Sequence, residues 1–122
     1  MSEPRRLVVL VDDLRSFRDG RPARVFRTSA AALGFLRALD QRIEELWLDH
    51  DLGGDDSIRP VTLHLEEQAF LGTPVDVGIV HVHSANAPAA GSVLQGLRRY
   101  GYRAARSGPD ELISAPLPDG AG

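Results

Sequence analysis

The sequence contains no cysteine and no lysine. The first absence excludes disulfides, thiolate zinc sites and thiol chemistry. The second makes all 14 basic residues arginine. A planar guanidinium fork suits phosphate oxygens, although a biased genome composition gives the same pattern. Neither a Walker-type phosphate loop nor a Gly-x-Gly-x-x-Gly turn occurs. No apolar run approaches the roughly 20 residues of a membrane span, and Met1–Arg6 lacks a cleavage-site pattern. We therefore expect a cytoplasmic protein with no membrane partner. Excess basic charge is also missing. A formal net charge of -3 argues against a general nucleic-acid-coating surface.

What the chain does have is three apolar runs that end in polar, reactive groups. Leu7–Val11 runs into Asp12-Asp13. Glu45–Leu48 runs into Asp49-His50-Asp51 and then Gly53-Gly54. Val77–Val82 ends in His83-Ser84-Ala85-Asn86. Acids and imidazoles cost several kcal/mol to bury without partners. Their place is the exposed carboxyl end of a sheet, where open α/β folds keep their ligand sites.

The rest of the chain supports such a sheet. Residues 6–12 are Leu/Val-rich, the pattern of a parallel strand covered on both faces. Residues 13–22 read as a polar loop, at most with one turn of helix. Residues 23–27 form a short strand. Thr28 or Ser29 caps a helix over 29–41 with Ala32, Leu33, Phe35, Leu36 and Leu39 on one stripe. A strand over 45–50 follows, then a helix from Pro60 to Leu71, a strand over 75–83, a helix from Asn86 to Gly101 and a last short strand over 102–106. The expected architecture is α/β, a flavodoxin-like, doubly wound five-stranded parallel sheet in the order 2-1-3-4-5. The link between strands 1 and 2 is short for a parallel crossover, so the first helix is expected to be reduced or missing. One domain spans 1–114, and the Pro/Gly/Ala-rich residues 115–122 read as a disordered tail.

This pattern resembles the response-regulator receiver domain. There, paired acids after strand 1 and an Asp ending strand 3 bind magnesium, and that Asp accepts a phosphoryl group. Asp12, Asp13, Asp49 and Ser84 match; the receiver lysine has no counterpart, and Arg106 is the nearest substitute. A closer resemblance is to the receiver-like family of cyclic-phosphate processing. Its motifs read here as Val11-Asp12-Asp13-Leu14-Arg15, Leu48-Asp49-His50-Asp51-Leu52-Gly53, Ser57-Ile58-Arg59-Pro60 and His83-Ser84-Ala85-Asn86. The resemblance spans residues 6–106. It implies phosphoester substrates, such as 2′,3′-cyclic phosphate ends of RNA or nucleotides, and a role in RNA repair.

Each residue then has a candidate role beside a plainer one. Asp12, Asp13 and Asp49 would make a hard oxygen site for Mg²⁺ or Mn²⁺, or merely cap turns. Asp51 is a candidate fourth ligand or a turn residue. His83 is the candidate general acid/base or a metal ligand, with Asp49 and His50 as further catalytic candidates. Ser84, Asn86, Arg15 and Arg59 are candidates for holding phosphate, with Asn86 equally a plain helix cap. The expected function is a metal-dependent phosphoesterase acting on, or binding, cyclic or terminal phosphate. Its partner would be a phosphate-containing small molecule or an RNA end. The alternatives are a non-catalytic pseudo-receiver and a phospho-accepting receiver at Asp49. A homodimer is compatible with the sequence, but no exposed apolar stripe demands one.

Overall fold

The computed structural model describes residues 6–114, so the expected tail over 115–122 lies outside the described residues. Five strands form an all-parallel sheet: β1 (Val8–Val11), β3 (Arg24–Phe26), β4 (Ile43–Asp49), β5 (Val77–His83) and β6 (Ala104–Arg106). Their order is β3-β1-β4-β5-β6. This is the expected 2-1-3-4-5 arrangement once β2, which lies outside the sheet, is set aside.

Three helices cover one face. They are α1 (Ser29–Arg37), α2 (Arg59–Phe70) and α3 (Ala87–Arg99). Thr28 caps α1 by accepting from Ala31 N at 3.1 Å, and Asn86 caps α3 by accepting from Ala89 N at 3.1 Å. Ala32, Leu36, Val61, Leu65, Ala90 and Leu97 bury their stripe against Val9, Val11, Leu46, Leu48, Val80 and Val82. The connections β3–β4, β4–β5 and β5–β6 all step across the sheet in one direction. Right-handed crossovers then put all three helices on the same side.

The other face is built differently. The link from β1 to β3 steps backwards, and residues 13–22 are not simply a loop. They contain β2 (Arg15–Phe17), which pairs antiparallel with β7 (Leu112–Ser114) after a 3₁₀ turn at Pro109–Glu111. The link is too short for a crossover helix, whereas three extended residues fit and find their backbone partners in β7. This ribbon closes a second core of Val8, Leu10, Phe17, Trp47 and Leu112. Phe17 meets Trp47 edge-on at 5.2 Å. Arg21 lies 4.4 Å over the Phe17 ring and pairs with Asp19 at 2.7 Å and Glu111 at 2.8 Å. It thereby ties the ribbon to its own turn.

Element ends shift modestly from the sequence expectation. Helix α1 stops at Arg37 rather than residue 41, because β4 begins early, with Ile43 pairing to Val77. Leu63 and Phe70 of helix α2, and Leu71 just past its end, are exposed, which sequence reading did not single out. No helix among the described residues is long and apolar enough to cross a membrane.

Candidate metal and phosphate site

Strand periodicity decides which side chains meet. Val8 and Leu10 face the ribbon, and Asp12 continues their alternation just past β1. On β4, Trp47 faces the ribbon and Asp49 follows it two residues on. On β5, His81 stacks on Trp47 with ring centroids 4.0 Å apart, and His83 follows in turn. Register then aligns these positions. Val11 pairs with Leu48, Asp49 with His83, and Val82 with Arg106. Asp12, Asp49, His83 and Ser107 therefore form a row across four strands, at the carboxyl edge of the helix-free face.

The three predicted carboxylates do come together. Asp12, Asp13 and Asp49 each offer a carboxylate oxygen, and these lie within 4.8 Å of one another. Asp12 is fully buried. Its Oδ1 accepts from Leu14 N at 2.9 Å and Arg15 N at 2.7 Å. Its Oδ2 is buried with no partner. Burial, and then the negative charge of Asp12, push the Asp49 carboxyl up to about 7. Gly53 reaches in beside the cluster with φ +84, and a Cβ there would stand 2.9 Å from Asp13 Oδ2. An orphaned carboxylate oxygen among like charges, with only oxygen donors, fits a hard divalent cation.

Asp51 is not part of this group. It is exposed, and its carboxylate accepts from Gly53 N at 3.0 Å, which is the turn role. His50 is tied by its backbone, donating to His83 O at 3.0 Å and accepting from Ile58 N at 3.2 Å. Arg59 is exposed in the first turn of α2. Ser84 is buried with its hydroxyl committed to the Asn86 backbone, donating to the carbonyl at 3.1 Å and accepting from N at 3.0 Å. Asn86 is the cap of α3.

Arg15 and His83 meet directly. The guanidinium of Arg15 donates to His83 Nε2. A guanidinium has no acceptor, so Nε2 carries the lone pair and the ring is neutral with its proton on Nδ1. Burial, and then Arg15, hold the His83 pKa below its ordinary value. Beside the carboxylates opens a cleft of about 570 Å³ lined by Arg15, His83, Ser84, Arg106, Ser107 and Gly108. Arg106 donates to Ser84 O at 2.9 Å. The buried side-chain atoms without a partner include Asp12 Oδ2, His83 Nδ1 and Ser107 Oγ, all from the one row.

Two supporting residues escaped sequence reading. Arg27 donates to Asp12 O at 3.1 Å and Arg15 O at 2.6 Å, which fixes the loop that carries the acid pair. Asp56 accepts from Ser29 N at 2.9 Å, from the Ser29 hydroxyl and from Ser57 N at 3.0 Å. This pins the loop after Asp49 to the start of α1. Both contacts are long-range, and no local spacing signals them. The missed member of the row itself is Ser107, which becomes visible only once β6 is placed in register.

Sheet order and site together define a receiver-like α/β domain with an acidic cluster at its carboxyl edge. The family model for the cyclic-phosphate processing receiver domain matches residues 7–99, and the chain belongs to this family. No curated protein and no solved structure matched the sequence.

Proposed function

We propose that this receiver-like domain is a metal-dependent phosphoesterase acting on the cyclic or terminal phosphate of RNA or nucleotides. The observation that carries the reading is the orphaned Oδ2 of Asp12, inside a cluster of three carboxylates. Asp12, Asp13 and Asp49 would hold Mg²⁺ or Mn²⁺. Such an ion supplies Lewis acidity at a phosphoryl oxygen and offsets the carboxylate charge. Arg15 presents its remaining N–H groups to the non-reacting phosphate oxygens. As its N–H bonds turn to phosphate, Nε2 of His83 is released. The neutral imidazole would then accept a proton from the water that attacks phosphorus, while the ester P–O bond breaks and the leaving oxygen takes a proton from solvent.

The test is ³¹P NMR of the protein with Mg²⁺ or Mn²⁺ and either 2′,3′-cyclic nucleotides or cyclic-ended RNA oligomers. Turnover that Asp49→Asn and His83→Ala both abolish supports the reading. Absence of turnover with every metal and substrate sinks it in favour of a binding module. A mass increase at Asp49 with acetyl phosphate would instead identify a phospho-accepting receiver.

A further inference from the structure

The cleft beside the carboxylates has an unusual charge. Among its lining residues there is no acid, and Arg15 and Arg106 bring two guanidinium groups to it. His83 adds no charge, because its Nε2 accepts from Arg15. Each guanidinium has five N–H donors. Arg106 spends at least one on Ser84 O. Arg15 spends at least one on His83. Ser84 cannot help, since its hydroxyl is occupied at both ends. Ser107, whose buried hydroxyl has no partner, adds one neutral donor, so the charge in this cleft comes from two cationic forks, one on β2 and one at the end of β6.

Two forks suit one ligand chemistry better than another. A terminal phosphate monoester presents three non-bridging oxygens and carries two charges above its second pKa of about 6. A cyclic or open diester presents two such oxygens and one charge. From this we infer that the Arg15–Arg106 cleft is a subsite selective for a dianionic terminal phosphate over a singly charged phosphodiester. Arg106 is the selecting residue. The inference rests on reading this edge of the sheet as a phosphate site. It adds that the monoester, the form left when a cyclic phosphate opens, is the better-held species.

Methyl phosphate and dimethyl phosphate separate the two classes without any turnover. Their affinities are measured by NMR shift titration of the full-length protein with saturating Mg²⁺, at about pH 8, where the monoester is a dianion. Only the ratio of the two affinities is read, so that protein groups titrating alike in both experiments cancel. Methyl phosphate is expected to bind about tenfold more tightly. Arg106→Gln should bring the ratio close to one, while Arg99→Gln, in the last turn of α3, leaves it unchanged. Equal affinities in the wild type would overturn the inference. So would a preference that survives Arg106→Gln, because the cation held by the carboxylates would then be the selector. A protein that binds methyl phosphate in this way but hydrolyses nothing would refute the esterase and leave the subsite standing.

Discussion

The guanidinium of Arg15, on β2, donates to Nε2 of His83, at the end of β5. Because a guanidinium can only donate, this bond requires a neutral imidazole with its proton on Nδ1. It also joins the ribbon to the carboxyl edge of the sheet. Long-range ¹H–¹⁵N spectra should show His83 as the Nδ1–H tautomer at neutral pH, titrating below the ordinary histidine value. Arg15→Ala should raise that pKa, since one of the causes holding it down is removed. A His83 that is cationic at neutral pH would contradict the assignment.

Metal binding should release a proton. Asp49 titrates at about 7 in the metal-free protein, so below that pH a cation must displace the proton to reach the carboxylate. Affinity for Mg²⁺ or Mn²⁺ should then rise with pH and level off above about 7. Without metal the sign reverses for stability. A carboxyl whose folded pKa lies above its unfolded value favours the folded state at low pH. That contribution is lost as pH rises from about 4, the unfolded carboxyl value, through 7. Calorimetry of metal uptake, and melting curves with and without metal across this range, check both signs.

Gly53→Ala should damage the site more than the fold. The residue sits at φ +84, and its Cβ would press on Asp13 Oδ2 at 2.9 Å. Gly20, at φ +70, has nothing within 4 Å of a Cβ. Both substitutions incur the left-handed backbone cost of about 1 to 2 kcal/mol. Only Gly53→Ala should also weaken metal binding. Comparing melting points with metal titrations for the two variants separates strain from displacement of the acid.

Leu112→Ala should destabilise the protein by about 2 to 3 kcal/mol, within the range for a buried leucine, because Leu112 closes the core of Phe17 and Trp47. The loss should reach the site. With β7 loosened, β2 loses its pairing partner and Arg15 its fixed position. Urea melts measure the first effect. The His83 tautomer spectrum under native conditions reads the second.

Much of this arrangement was legible in the sequence. Apolar runs that end in Asp12, Asp49 and His83 state both a parallel sheet and which of its edges gathers the acids and the imidazole. The short span after Asp13 already argued against a first helix. What the chain could not announce was the ribbon. Arg15-Ser16-Phe17 carries too few apolar residues to read as a strand, and its partner at 112–114 lies almost a domain length away. Which hydroxyls stay unpaired was hidden for a similar reason. Whether Ser84 or Ser107 keeps a free hydroxyl depends on which backbone groups lie within reach, and periodicity carries no such information. Asp51 and Asp49 share a strand face by count, yet the turn at Gly53 takes Asp51 away from the cluster.

The pairing of β2 with β7 has a consequence for the order in which the protein comes together. The helices and the parallel sheet form from contacts between neighbouring segments, while the ribbon closes the longest loop in the domain, the slowest kind of contact to make. During synthesis the three carboxylates can be assembled while β7 is still inside the ribosome. Arg15 gains its strand partner only when residues 112–114 emerge. The acidic half of the site is therefore built early and its cationic half last.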